Sequence, residues 1–166
     1  MTTSIYYKSP IGLLELVFKN DKLTSIHIDG VEELETSVEK MSTTQQGVIQ
    51  QLKSYFDGEL QEFDIDMEFL KGTDFEQSIW KQLSTIPYGR LISYSDLAYQ
   101  IGKTKGASQA VGKAVGNNPI GVIVPCHRVV GKNGKLTGFA WGLKRKAFLL
   151  ELEQKALQLQ MNPHFI

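Results

Sequence analysis

Residues 120–130 read Ile120-Gly-Val-Ile-Val-Pro-Cys-His-Arg-Val-Val130, and Cys126 is the only cysteine in the chain. The apolar run ahead of Pro125 has the composition of a short buried strand. Proline fixes its own φ and brings no backbone donor, so the strand has to break there, placing Cys126 at a strand end or turn. Reactive side chains concentrate at such positions. By composition alone a lone cysteine is a small buried hydrophobe. At the end of a delivering strand, with His127 beside it, it becomes a candidate nucleophile, because the thiolate is the reactive form and a neighbouring imidazole favours it.

Moving outward from this stretch, the chain on either side is mainly helical. Thr73-Asp-Phe-Glu76 has the capping-box pattern, and Phe75, Ile79, Trp80, Leu83 and Ile86 follow on one apolar face until Pro87-Tyr-Gly89. Ser93 is placed to cap a second helix running to about Ile101, and Gly102–Gly106 is a turn. A third helix, from about Ala107 to Gly116, is built from the small residues Ala107, Ser108, Ala110, Gly112, Ala114 and Gly116. Two short helices around a compact turn form a helix-turn-helix pattern. The smooth third helix suits close approach either to a nucleic-acid groove or to another helix in the core. A last helix is expected over roughly Gly142–Leu157. On its wheel Glu153 lies among Leu149, Leu150, Ala156 and Leu157, so its carboxylate has to be paired, rim-exposed or strongly shifted, and a histidine alongside is a natural partner.

The N-terminal part has a different texture. Ser4–Lys8, Gly12–Lys19 and Lys22–Ile28 are β-branched or alternating runs separated by the turn signals Ser-Pro-Ile-Gly and Lys-Asn-Asp-Lys. Val48, Ile49, Leu52, Tyr55 and Phe56 recur at helical spacing, and Asp57-Gly58 closes that helix. The acidic stretch Glu59–Glu68 reads as an edge strand or a linker. The expected fold class is therefore α+β. A small N-terminal sheet-plus-helix domain (1–71) precedes a mainly helical domain (72–166) that carries the helix-turn-helix and the Pro-Cys-His-Arg turn.

Charge follows the same division. Up to Lys71 there are 6 basic and 13 acidic residues, and after it 12 and 5, so a net charge of zero splits into −7 and +7. The basic second part suits either a polyanion partner or a solvated basic face. One cysteine excludes an internal disulfide and fits a reducing compartment. His27, His127 and His164 do not have zinc-site spacing. His27 sits in an alternating strand and reads as a surface or satisfied histidine rather than a ligand. No signal region or membrane-length apolar run is seen, so a cytoplasmic protein without a membrane partner is expected. No dimer seam is evident, so a monomer without a protein partner is expected.

Taken together, Ile-Pro-Tyr-Gly (86–89), Ser-Tyr-Ser-Asp-Leu-Ala (93–98), Ala-Val-Gly (110–112), Asn-Asn-Pro (117–119), Pro-Cys-His-Arg-Val-Val (125–130) and Thr-Gly-Phe-Ala-Trp-Gly-Leu-Lys-Arg-Lys (137–146) resemble the O6-alkylguanine-DNA alkyltransferases. The likeness is dense over about 73–155 and looser before it. It implies a DNA-repair protein that binds double-stranded DNA carrying O6-alkylguanine through its helix-turn-helix and rotates the damaged base out of the stack. The protein then takes the alkyl group onto its own cysteine once, with no cofactor. O4-alkylthymine is a further candidate substrate. Some members hold zinc in the N-terminal domain, but the ligand types for it are not present here, so no metal is expected.

The resemblance assigns Cys126 as alkyl acceptor, His127 as its base through a water, and Glu153 as the carboxylate orienting that histidine. Asn118 holds the turn into the site, and Tyr94 crowds the DNA backbone and donates to guanine N3. The backbone around Val129 and Ala140 walls the base pocket, and Phe139 stacks on the flipped base. Ala110, Gly112 and Lys113 belong to the helix laid against DNA. Arg128 reads as structural, tying down neighbouring loops. Two positions depart from the common pattern. Gln109 stands where many members place an arginine that fills the gap left by the flipped base, and glutamine lacks its charge and planar guanidinium. Trp141 stands where glycine is frequent and narrows the pocket mouth. Three other readings remain at this level. A cysteine hydrolase on Cys126-His127-Glu153 lacks an oxyanion-hole signature. A lesion sensor would have lost the cysteine, and a regulator would carry further domains and metal-site cysteines.

Overall fold

The computed structural model describes residues 1–30 and 33–161; His164 lies outside them. The chain divides into two compact units, Met1–Leu70 and Lys71–Ile166. No helix among the described residues is long and apolar enough to cross a membrane.

In the first unit β1 (Thr2–Ser9), β2 (Gly12–Lys19) and β3 (Lys22–His27) form an antiparallel meander in the order β1-β2-β3. Asn20 and Asp21 join β2 to β3 with φ of 51° and 64°. This is the left-handed pair that a tight hairpin turn requires and that Asn and Asp tolerate. Alternation sends Ile5, Tyr7, Leu14, Leu16, Phe18, Leu23 and Ile26 inward. They share the core with Val48, Ile49, Leu52, Tyr55 and Phe56 of α1 (Thr43–Phe56), which Ser42 and Gln45 cap reciprocally. The acidic stretch after α1 makes a single parallel bridge, Leu23 to Met67, and otherwise runs as coil.

The second unit begins with α2 (Asp74–Leu83), opened by the expected Thr73–Glu76 capping box. The two-residue strand β4 (Ile92–Ser93) lies parallel to β5 (Val129–Val130) and leads directly into α3 (Tyr94–Gln100), capped by the Ser93 hydroxyl. A short 3-10 turn and α4 (Ser108–Gly116) complete the helix-turn-helix, with α2 packed against both helices. The last helix, α5 (Leu143–Met161), extends beyond the expected span.

The run 120–124 differs from expectation: it is a turn, not a strand. Val124 N–H donates to Ile120 O at 2.9 Å, and Ile123 N–H to Gly121 O at 2.9 Å. Asn118 braces the turn from both ends of its amide, with Nδ2 donating to Val124 O at 2.8 Å and Oδ1 accepting from Ile120 N–H at 3.0 Å. Val122 is held at φ 70°, a strained conformation for a β-branched residue. The apolar pattern reports burial, which a packed turn and a packed strand share. The side-chain hydrogen bonds that select the turn leave no periodic trace.

Candidate active site

Cys126 N–H donates to Val124 O at 2.8 Å, and Cys126, His127 and Arg128 form one 3-10 turn between that loop and β5. In this conformation successive side chains diverge. Cys126 lies against the cavity described below, whereas His127 and Arg128 are buried with Glu153 of α5. Glu153 is fully buried and both its oxygens are occupied. Oε2 accepts from His127 Nε2 at 2.6 Å and Arg128 Nη2 at 3.0 Å; Oε1 accepts from Arg128 Nε at 2.9 Å and Gly89 N–H at 3.0 Å. Arg128 Nη1 also donates to Ile86 O at 2.7 Å. Arg128 is thus a two-pronged clamp on the carboxylate, the geometry for which guanidinium is suited.

Burial opposes the charge on Glu153, but His127 and Arg128 outweigh it and hold the carboxyl well below the usual range. An ionised carboxylate only accepts, so His127 Nε2 carries the proton in that bond. Burial also pushes the imidazole below its ordinary value, against the pull of Glu153. Neutral His127 is consistent with the charge count, since Arg128 already balances Glu153 and an imidazolium would be a second buried cation. A neutral ring protonated on Nε2 leaves Nδ1 as the basic nitrogen. Nδ1 is buried and has no hydrogen-bond partner among the described residues.

The thiol itself is buried, which raises its pKa; the Asn118 side chain and the Lys146 charge pull in the opposite direction. Cys126 needs a base at neutral pH. It borders a cavity of about 20 Å³ together with Asn118, Gly121, Phe139, Ala140 and Trp141. That volume admits about one water molecule. Trp141 closes the far side by lying on Gly121, where an added Cβ would come 2.7 Å from the indole. Tyr94, at the start of α3, donates its hydroxyl to Thr137 O at 3.2 Å. A larger groove of about 660 Å³ lies beside Gln82, Ile86, Arg90 and Tyr99, but it contains no thiol or imidazole.

The family model for the 6-O-methylguanine DNA methyltransferase DNA-binding domain matches residues 74–155, and that for the ribonuclease-like domain of the same proteins matches residues 3–69. The chain belongs to the O6-methylguanine-DNA methyltransferase family. The methylated-DNA–protein-cysteine methyltransferase of Mycobacterium tuberculosis is 48% identical over 160 residues, covering 90% of this chain and 93% of that one. A crystal structure of the M. tuberculosis O6-methylguanine methyltransferase superposes with a TM-score of 0.81 at 44% identity, covering 94% of each chain. The M. tuberculosis OGT in complex with DNA gives 0.80 at 46% identity, covering 92% and 93%.

Within this methyltransferase fold the predicted residues fall into groups. Cys126, Asn118, Phe139, Ala140 and Trp141 share the cavity. His127 and Glu153 sit together behind it. Gln109, Ala110 and Lys113 lie outside it, on the exposed side of α4, while Val111, Ala114 and Val115 face inward. Gly112 lies under the Tyr94 ring, 3.7 Å from where a Cβ would stand. Val129 is fully buried and its N–H is bonded to Cys126 O, so its side chain does not line the cavity. Sequence reasoning placed Arg128 as a tie but missed its bidentate grip on Glu153. It also missed Lys146, which sits inside a Lys-Arg-Lys run that reads as solvated.

Proposed function

We propose that this protein repairs O6-alkylguanine in double-stranded DNA by moving the alkyl group to Cys126, once per molecule. One observation carries the reading: a single buried thiol precedes an imidazole whose tautomer a buried, Arg-clamped carboxylate fixes so that Nδ1 is the base. Nδ1 takes the Cys126 proton through a bridging water. The thiolate attacks the alkyl carbon in line with the C–O bond; that bond breaks, and its electrons pass to the guanine, which gains a proton as Tyr94 donates at N3. The product is a thioether, which water does not hydrolyse, so the molecule is consumed. Asn118 holds the turn that aims the thiol.

The exposed side of α4, with Gln109, Ala110 and Lys113, lies against the DNA together with Gly112 beneath Tyr94, and the net positive charge of the second part favours it there. The base leaves the stack for the pocket walled by Phe139, Ala140, Trp141 and the backbone near Val129. The observed cavity of about 20 Å³ is smaller than a purine, and on this reading the segment 138–141, flanked by the left-handed Gly138 and Gly142, is the part of its wall that swings outward. Residues 1–71 form the N-terminal domain and 72–166 the DNA-binding and catalytic domain of a cytoplasmic monomer.

Intact-mass measurement after mixing equimolar protein with a short duplex holding one O6-methylguanine tests this. A gain of one methyl group mapped to Cys126, stopping at one equivalent, is expected. Unchanged mass with retained duplex binding would instead make the protein a lesion binder.

A further inference from the structure

Lys146 is a costly residue in the place where it stands. It is fully buried, and no carboxylate pairs with it among the described residues. It lies in the first turn of α5, where the helix dipole disfavours a cation. Its Nζ donates instead to Thr137 O at 2.9 Å and Gly138 O at 3.3 Å, and stands 5.9 Å from the centre of the Phe139 ring. An apolar side chain of similar length would fill the same space without burying a charge, so packing does not account for the ammonium; what it adds is the pair of bonds to Thr137 O and Gly138 O.

Its partners form one end of the pocket lip. Gly138 and Gly142 have φ of 47° and 91° and flank Phe139-Ala140-Trp141. Arg145 Nη1 donates to Trp141 O at 3.3 Å near the other end. Thr137 O serves Tyr94 and Lys146 together. When the Tyr94 hydroxyl turns to the flipped base, only Lys146 still holds that carbonyl.

We propose that Lys146 is a positioning residue for alkyl transfer: its ammonium anchors the Thr137–Gly138 end of the lip, so that the lip opens for the base and returns to one fixed place against it. This rests on the repair reading above. The nearby charge also favours the Cys126 thiolate, a second and separable contribution.

The test compares Lys146→Met and Lys146→Arg with the parent in the full chain. Three quantities are read: the melting midpoint, the pH profile of Cys126 alkylation by iodoacetamide without DNA, and single-turnover methyl transfer from an O6-methylguanine duplex. The profile's midpoint reports the thiol among Tyr94 of α3, His127 of its own turn with Glu153 and Arg128 behind it, and Lys146 of α5. Its plateau reports access to the thiol. Lys146→Met is expected to melt no lower than the parent, to raise the plateau severalfold as the lip loosens, and to slow methyl transfer by about tenfold or more with duplex affinity unchanged. Lys146→Arg, which can still bond both carbonyls, is expected to recover most of the transfer rate. Parental transfer by Lys146→Met would overturn the proposal. So would a plateau, a transfer rate and a melting midpoint that all fall in parallel. A parent that takes no methyl group would sink the repair reading instead, while the iodoacetamide arm, which needs no DNA, would still decide whether Lys146 holds the lip.

Discussion

Glu153→Gln tests the centre of the proposed mechanism. The carboxylate accepts from His127 Nε2, Arg128 Nε, Arg128 Nη2 and Gly89 N–H. A glutamine of the same shape offers one acceptor oxygen and turns an NH₂ donor toward two of those donors. If that NH₂ faces Arg128 Nε and Gly89 N–H, it meets donors. If it faces His127 and Arg128 Nη2, only the arginine meets it as a donor, because the ring accepts on Nε2 by taking the other tautomer; this orientation is therefore the favoured one, and it places the proton on Nδ1. Either way Arg128 is left buried without its counter-charge. Breaking a buried pair in this manner costs about 3–5 kcal/mol. That is a large part of an ordinary domain's stability, and it corresponds to a fall of roughly 10 °C in melting midpoint.

The chemical effect is separable from this loss. Without the Nδ1 base, methyl transfer should slow by about 10²-fold or more, the usual share of a positioned base. Single-turnover transfer is measured at a temperature where circular dichroism shows the variant folded. The rate should recover toward alkaline pH, where solvent supplies the thiolate without His127. A folded Glu153→Gln that transfers methyl within threefold of the parent at neutral pH would refute the assignment. A deficit that ignores pH would point to misplacement of the turn rather than loss of the base.

The remaining predictions use other parts of the site. His127 and Glu153 both have folded pKa values held below their unfolded ones, about 6.5 and 4.3, so their stabilisation is present above those values and is lost as pH falls. Urea midpoints should therefore drop from about pH 6.5 downward and more steeply below about 4.3; a midpoint that held steady from pH 7 to 4 would contradict this. Gln109→Arg, on the exposed side of α4, should speed repair of duplex substrate and leave iodoacetamide reactivity of Cys126 unchanged. No gain on duplex would show that glutamine already serves. Trp141, seated on Gly121, should favour methyl over benzyl adducts, and Trp141→Gly should narrow that preference; equal parental rates for both adducts would remove the argument.

Much of this was legible because certain residues carry their reason with them. Thr73 and Ser93 announce helix starts through local hydrogen bonds that the structure contains. Glu153 among leucines narrows its carboxylate to pairing, rim exposure or a strong shift, and the fold takes the first. The apolar run 120–124 misled because period and burial are all that a hydrophobic pattern encodes. Its turn is selected by the Asn118 amide and by a left-handed Val122. Lys146 was hidden for the converse reason. A lysine in a basic helix start reads as solvated, and only the chain folding back at 137–138 buries it.

These hidden features bear on one physical problem. A nucleophile that acts once has no later turnover in which to correct a poor approach, so its aim has to be built into the ground state. Asn118 fixes the turn from one side, and the Glu153–Arg128 pair fixes the base from behind. Both are buried polar arrangements in which every bond spent on position is unavailable for general packing. The strained Val122 and the unpaired cation of Lys146 belong to the same trade: each costs stability, and each lies within a few residues of the thiol or of the lip over it. It follows that substitutions relieving them, Lys146→Met above all, should leave the fold as firm or firmer and the transfer slower. That opposition between melting midpoint and rate separates a built site from an ordinary core.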